Sequence, residues 1–196
     1  FNRCTNVAIG PGGDIFVSDG YRNARVHRFS PDGRHLRSWG EPGTGPGQFN
    51  LPHGIAVDAR GTVYVGDRAN NRVQLFDSDG AYKGEWNDLA LPCDVFLDGD
   101  VAFVAELGAR AGRPDAPANI PGARVSVLSL DGKLLARWGE AHTVGAEPCA
   151  PGFFKAAHGI HADQQGNLYV GEVSHTASGR TAPADCHVLQ RFRRVE

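Results

Sequence analysis

The chain has 196 residues, of which 41% are hydrophobic, so it is long enough to bury a sizeable core. Its formal net charge of -2 and its scattered basic residues give no argument for binding to nucleic acid or to a membrane surface. No apolar run approaches the roughly 20 residues that a membrane-spanning helix needs. The 26 glycines and 12 prolines interrupt every stretch with a helical period, and they are typical of an all-β chain with many turns.

One sequence pattern occurs four times and predicts four groups of β-strands. Each copy has an apolar stretch, a glycine turn, a second apolar stretch, an acidic residue and a third apolar stretch. The equivalent positions Thr5, His53, Cys93 and His158 are separated by steps of 48, 40 and 65 residues. Repeats of about 40 to 50 residues are typical of β-propeller blades. The longest step contains the segment 108–122, rich in Ala, Pro, Gly and Arg, which we predict to be a loop insertion.

The first three copies also contain an Asp-Gly turn and an outer segment that ends in tryptophan. The turns with their closing tryptophans are Asp32-Gly33 with Trp39, Asp79-Gly80 with Trp86, and Asp131-Gly132 with Trp138. Asp-Gly favours a tight hairpin with a primed turn, because both residues tolerate positive φ. Each copy therefore predicts a blade of four strands, although the fourth copy stops after its third strand. The predicted fold is an all-β propeller with blades at about 1–41, 49–87, 91–140 and 155–196, the last one incomplete.

The number of repeats predicts that this chain is part of a larger propeller. Four blades of this length would form an unusual closed ring, and an open arc leaves unpaired strand edges and an exposed apolar face. The chain also begins with Phe1 and contains no methionine. We therefore expect a six-bladed parent with one or two further blades on the N-terminal side.

The histidines of the repeat suggest a metal site. The first strand of a propeller blade lines the central tunnel, so equivalent positions at its start converge on the axis. His53 and His158 occupy such positions in alternate blades. Two blades of a six-bladed ring subtend about 120°, so two imidazoles placed there form two corners of a three-histidine site with one open position. The third corner is expected in a blade that precedes this chain.

Other interpretations of these positions stay open. Histidine is also a frequent residue at this place in such repeats, without any metal. Cys93, in the blade between the two histidines, is a spare ligand, a free thiol or, the favoured alternative, a packed small residue. His161 lies three residues after His158 on a strand, so it faces the opposite side and is predicted to be structural.

Several motifs resemble the lyase domain of peptidylglycine α-amidating enzymes, and the repeats resemble the NHL type. The motifs are CTNVAI (4–9), IFVSDGYRNAR (15–25), FSPDG (29–33), WGE (39–41), PGQF (46–49), PH (52–53) and DRANNR (67–72). The resemblance is close over residues 1–76 and resumes more weakly over residues 158–171. Residues 81–152 match only as a generic repeat.

The resemblance implies a six-bladed propeller and a zinc-dependent peptidylamidoglycolate lyase, which cleaves peptidyl-α-hydroxyglycine to an amidated peptide and glyoxylate. His53 and His158 match two of the three zinc-ligating histidines of this family. Tyr21 matches the catalytic tyrosine, a general base for the substrate hydroxyl, and Arg68 matches an arginine that holds the substrate carboxylate. The alternatives are a turn aromatic packed on its own blade for Tyr21 and an ion pair with a neighbouring aspartate for Arg68.

The sequence departs from the family pattern in ways that affect disulfides and calcium. Arg22 replaces the cysteine that follows the catalytic tyrosine, so Cys4 lacks the disulfide partner that the resemblance implies. The cysteines of the family's second disulfide are also absent. Gly159 replaces an aspartate that helps to bind calcium, which puts calcium binding in doubt. Cys149 and Cys186 form a further candidate pair, whose connectivity cannot be read from a sequence.

Two hypotheses about function follow. One is a zinc lyase that acts on a small-molecule or peptide substrate with Tyr21 and Arg68 beside His53 and His158, and the resemblance favours an extracytoplasmic location for it. The other is a non-catalytic NHL-repeat scaffold whose loops, including 108–122, bind a protein or carbohydrate partner. A hydrolase or lactonase with calcium at the tunnel mouth is less favoured, because calcium prefers oxygen ligands.

Overall fold

The computed structural model describes residues 1–108, 121–139, 150–174 and 187–193. These residues form β-strands joined by turns, with the 3₁₀ helix Arg68–Asn70 after the eighth strand. The strands are β1 Asn6–Ile9, β2 Ile15–Asp19, β3 Arg25–Phe29, β4 His35–Trp39, β5 Glu41–Pro42, β6 Gln48–Phe49, β7 Pro52–Val57, β8 Val63–Asp67, β9 Arg72–Phe76, β10 Tyr82–Trp86, β11 Pro92–Asp98, β12 Val101–Glu106, β13 Arg124–Ser129, β14 Leu134–Trp138, β15 Ala157–Ala162, β16 Leu168–Glu172 and β17 Leu189–Phe192. The prediction of an all-β chain is confirmed. No helix in the described ranges is long and apolar enough to cross a membrane.

Antiparallel sheets follow one another along the chain. In the described ranges the strand orders are β1-β2-β3-β4, β10-β9-β8-β7, β11-β12-β13-β14 and β15-β16-β17. Each strand pairs with its neighbour in sequence, as expected for propeller blades. The described chain therefore has the arrangement of four blades that the repeats predicted. The sequence did not predict the short parallel pair β5-β6, which lies between the first two sheets along the chain.

The chain divides into two compact units, residues 1–97 and residues 98–196. The first unit contains the first two sheets and β11 up to residue 97. The second unit contains β12 to β17.

Apolar side chains of the first two sheets form the core of the first unit. Its buried members are Phe16, Ala24, Val26, Phe49, Ile55, Val63, Val65 and Phe76. The ring centroid of Phe76 lies 5.7 Å from that of Phe49 and 5.9 Å from that of Trp39. Burial of a large apolar side chain contributes about 1.5–3 kcal/mol, so these residues supply the main force that packs the sheets together.

The second unit has a buried core and a buried ion pair of its own. Val104 on β12 and Val125 on β13 have no exposed surface. Glu106, also fully buried, accepts a hydrogen bond from Arg124 Nε at 2.9 Å. The acidic residue of the third repeat therefore has a charged partner inside the sheet.

The Asp-Gly turns have a different type from the predicted one. In each pair only the glycine has positive φ, which is 84° at Gly33, 84° at Gly80 and 90° at Gly132. The N–H of Gly33 donates to Ser30 O at 2.8 Å, which closes a turn with Pro31 as its second residue. Proline fixes φ near -65°, which suits a type I turn followed by a left-handed glycine. The expectation of a primed turn was wrong, because these loops are one residue longer than a two-residue hairpin.

Candidate functional site

The strands β7, β11 and β15 each carry a possible metal ligand at their second position. This position, which we call the slot, is His53 on β7, Cys93 on β11 and His158 on β15. The strand register is irregular around both histidines, from Pro52 to Ile55 in β7 and from Ala157 to Gly159 in β15. A β-bulge re-aims a side chain locally, and bulges are frequent beside functional sites. The two histidines therefore occupy equivalent positions in the repeat, and both lie beside an irregularity in strand register.

A carboxylate fixes the backbone in front of both histidines. The acidic residue that ends the second strand accepts a hydrogen bond from the N–H of the residue three positions before the slot. The bonds are Asn50 N to Asp67 Oδ1 at 2.7 Å, Lys155 N to Glu172 Oε2 at 2.8 Å and, before Thr5 in the first sheet, Asn2 N to Asp19 Oδ1 at 2.9 Å. The acidic residue of the repeat therefore holds the loop that leads into the slot, a role that the sequence pattern did not reveal.

The imidazole of His53 is held in one tautomer. The residue is only 4% exposed, and its Nδ1 lies 2.7 Å from Cys93 O. A carbonyl oxygen only accepts hydrogen bonds, so Nδ1 carries a proton, and in the neutral imidazole Nε2 presents its lone pair. Histidines that ligate metals commonly donate their other ring N–H to a backbone carbonyl in this way.

The hydroxyl of Tyr21 lies beside that lone pair. Tyr21 Oη is 3.3 Å from His53 Nε2, and the two rings meet edge to face with their centroids 5.7 Å apart. With the imidazole neutral, Nε2 accepts and the tyrosine hydroxyl donates in this contact. The Tyr21 side chain is also 50% exposed, so its ring is accessible from solvent. The structure therefore pairs the predicted general base with a predicted zinc ligand.

Close packing of the first sheet against β7 brings Tyr21 to His53. Ser18 Oγ donates a buried hydrogen bond to His53 O at 2.6 Å. A Cβ at Gly20 would lie 1.8 Å from Pro52 O, so no larger residue fits while the two strands keep this distance. Tyr21 follows Gly20 directly, and this close approach places its ring against the histidine.

A second close approach connects β7 to β11. A Cβ at Gly54 would lie 2.6 Å from Asp94 Cα and 2.7 Å from Cys93 O. We expect Gly54→Ala to lower the free energy of unfolding by about 1–3 kcal/mol, because the backbone of β11 must move to make room. Urea denaturation measures this loss. Gly12→Ala is the control, since a Cβ there meets nothing within 4 Å, and a Gly54→Ala protein as stable as this control would contradict the prediction.

The first sheet also bonds to β11 through side chains. Asn6 Nδ2 donates to Asp94 Oδ1 at 3.0 Å, although the two residues are 88 positions apart. Asp94 follows Cys93 directly in the chain. Sequence reasoning assigned no role to either residue of this bond, although Asn6 lies in the CTNVAI motif.

Cys93 contacts the histidine that its own carbonyl orients. Its side chain is 1% exposed and is not part of a disulfide. Cys93 Sγ and a ring nitrogen of His53 lie within 4.8 Å of each other. The sequence favoured a packed small residue at this position, and the structure adds that a potential metal ligand is beside it.

Arg68 begins the 3₁₀ helix and is half-buried. Its backbone N–H donates to Leu51 O at 3.2 Å. Within the described part of the chain, no carboxylate pairs with the Arg68 guanidinium, while the neighbouring Asp67 pairs with Arg72 at 2.9 Å. The ion pair that the sequence left open for Arg68 is therefore not formed among these residues.

The other predicted positions differ in their exposure to solvent. His158, in the second unit, is half-buried, and His161 is exposed on the same strand. Cys4 is exposed and is not in a disulfide, as the replacement of its expected partner implied. Cys149, Cys186 and most of the predicted loop insertion lie outside the described residues.

Comparison with known protein sequences confirms the predicted resemblance. The family model of the NHL repeat matches residues 1–29 and 49–76. Human NHL repeat-containing protein 3 is 41% identical over 115 residues, which cover 55% of this chain and 33% of that protein. Mouse peptidyl-glycine alpha-amidating monooxygenase is 45% identical over 85 residues, which cover 40% of this chain and 9% of that protein. A probable peptidyl-alpha-hydroxyglycine alpha-amidating lyase of Caenorhabditis elegans is 35% identical over 98 residues, which cover 48% of this chain and 27% of that protein.

The chain spans a third or less of the length of these relatives. Solved structures of the same fold include a protein of unknown function from Bacteroides caccae, with a TM-score of 0.65, 17% identity, and coverage of 97% of this chain and 63% of that one. A streptogramin B lyase structure gives a TM-score of 0.61 at 13% identity and covers 98% of this chain and 55% of that one. Likeness at such identities shows the fold alone, and it confirms the β-propeller.

Proposed function

We propose that this chain, which contains NHL repeats and is similar to amidating lyases, carries part of the active site of a peptidylamidoglycolate lyase. The observation that carries the proposal is the contact between Tyr21 Oη and His53 Nε2 at 3.3 Å, with His53 Nδ1 bonded to Cys93 O. It pairs two residues that match separate functional motifs of that family.

The donor set suits zinc better than calcium. His53 presents a neutral imidazole with its second nitrogen anchored, and His158 occupies the equivalent slot of another sheet. Imidazole nitrogen is a preferred zinc ligand, whereas calcium takes oxygen ligands. In this proposal, His53 and His158 are zinc ligands, as the family resemblance implies. Zinc, when bound, would polarise a substrate oxygen and favour loss of its proton.

Tyr21 and Arg68 act on the substrate itself. The Tyr21 oxygen takes the proton of the α-hydroxyl group, the bond between the α-carbon and the amide nitrogen breaks, and that nitrogen gains a proton. The net change is the transfer of one proton from oxygen to nitrogen, and the products are the amide and glyoxylate. The Arg68 guanidinium, which has no carboxylate partner among the described residues, offers a planar pair of donors for the substrate carboxylate.

Metal content and lyase activity of the full-length protein test this function. We expect bound zinc in a ratio near one per chain, and glyoxylate release from a peptidyl-α-hydroxyglycine substrate. His53→Ala should lose both, because the mutation removes a metal ligand. His161→Ala is the matched control, since His161 is exposed and its predicted role is structural. A wild-type protein that binds no zinc and releases no glyoxylate would rule the proposal out.

A non-catalytic scaffold is the second candidate. The observation that favours it is a pair of exposed apolar side chains on β1, Val7 at 56% and Ile9 at 61% exposure. Exposed apolar patches commonly mark surfaces that bind another protein. The experiment above separates the two candidates, because a scaffold needs neither zinc nor turnover.

A further inference from the structure

We propose that Cys93 is a metal ligand of this site, so that the chain supplies a sulfur donor in addition to its imidazoles. This inference rests on the proposed function, because it assumes that His53 binds the metal. It differs from the arrangement implied by the family resemblance, in which the ligands are three histidines.

The first argument is geometric. Tetrahedral zinc binds nitrogen at about 2.0–2.1 Å and sulfur at about 2.3 Å, so two such ligands lie about 3.5 Å apart. Cys93 Sγ and a ring nitrogen of His53 lie within 4.8 Å of each other. Rotation about side-chain bonds is the movement that would bring the two atoms to this ligand spacing.

The second argument is the coupling between the two residues. Cys93 O accepts the hydrogen bond from His53 Nδ1 at 2.7 Å, so the residue that carries the thiol also sets the orientation of the imidazole. Gly54 allows this approach, since a Cβ there would meet Cys93 O at 2.7 Å.

The third argument concerns the surroundings of the thiol. A free cysteine commonly packs as a small apolar residue. Cys93 is 1% exposed, yet it adjoins the imidazole of His53, and the next residue, Asp94, bonds to Asn6. A buried thiol beside a buried imidazole is a donor pair that suits zinc or cobalt, because sulfur and nitrogen ligands select such metals over magnesium or calcium.

Binding changes the thiol in a defined way. The metal ion replaces the thiol proton, the sulfur–metal bond forms, and the proton is released to solvent. No oxidant or reductant is involved. Cys93 then contributes a negative charge to the site, which a third histidine would not.

Cobalt(II) titration of the full-length protein tests this assignment. Cobalt bound to thiolate gives an intense sulfur-to-metal charge-transfer absorption in the near ultraviolet, which imidazole ligands alone do not give. We expect this band in the wild-type protein and its loss in Cys93→Ser, together with at least a tenfold weaker zinc affinity. Cys4→Ser is the matched control, because Cys4 is exposed in the same unit, and it should keep the band.

A second measurement avoids dependence on one variant. A protein with serine at positions 4, 149 and 186 retains Cys93 as the only cysteine of these 196 residues. X-ray absorption of its zinc-loaded form should show sulfur scattering at about 2.3 Å. Bound zinc with only nitrogen and oxygen neighbours, or a charge-transfer band that survives in Cys93→Ser, would overturn the proposal.

The outcomes also separate this inference from the proposed function. A sulfur-to-cobalt band without glyoxylate release would support Cys93 as a metal ligand and would contradict the proposed lyase activity. Glyoxylate release from a zinc-loaded protein without sulfur ligation would support the proposed lyase activity and would contradict Cys93 as a metal ligand.

Discussion

Replacing Tyr21 with phenylalanine is expected to lower kcat for α-hydroxyglycine cleavage by about 10²- to 10⁴-fold, the usual contribution of a positioned general base. The ring contact with His53 remains in the variant, while the oxygen that lies 3.3 Å from Nε2 is lost. Zinc content and the free energy of unfolding should therefore stay close to their wild-type values. Glyoxylate release under saturating substrate measures the effect.

Tyr169→Phe is the control for this experiment. The Tyr169 hydroxyl donates to Asp163 Oδ2 at 3.1 Å in a turn of the second unit, so its removal should cost about 0.5–1.5 kcal/mol of stability without changing kcat. Wild-type kcat in Tyr21→Phe would contradict the role of Tyr21 as a base. Loss of zinc in Tyr21→Phe would instead assign it to the support of the metal ligand.

Replacing Asp67 with alanine is expected to lower the free energy of unfolding by about 3 kcal/mol, because three buried donors lose an acceptor that they share, although Arg72 keeps its ion pair with Glu85 at 2.9 Å. Asp67 has no exposed surface and binds Arg72 Nε at 2.9 Å, Gln74 Nε2 at 3.1 Å and Asn50 N at 2.7 Å. Burial raises the pKa of this carboxyl, against the lowering effect of its hydrogen bonds and of Arg72. Urea denaturation of the full-length protein measures the loss.

The control for Asp67→Ala is Asp79→Ala. The Asp79 side chain is 73% exposed and pairs with Arg28 at 2.9 Å, so its removal should cost no more than about 1 kcal/mol. Zinc affinity should also fall in Asp67→Ala, since Asp67 holds the backbone three residues before His53. Equal stability of the two variants would show that the hydrogen bonds to the buried Asp67 do not contribute the predicted free energy of unfolding.

The sequence by itself determined the class of the fold and the position of its strands. Alternating apolar residues encode a half-buried strand locally, and an Asp-Gly pair encodes the end of a hairpin, so each repeat can be read without knowledge of the others. The same periodicity placed His53, Cys93 and His158 at one equivalent position. The exact turn type was not predicted, because it depends on the loop length and on hydrogen bonds such as that from Gly33 N to Ser30 O.

Only the tertiary structure decided which residues meet. Tyr21 and His53 are 32 positions apart, and His53 and Cys93 are 40 positions apart. These contacts require two strands from different sheets to approach closely at Gly20 and Gly54. These close approaches depend on how whole sheets pack together, and a local sequence pattern does not predict that packing. The repeats could therefore identify His53 as a candidate ligand, but only the packing of the sheets brings Tyr21 and Cys93 beside it.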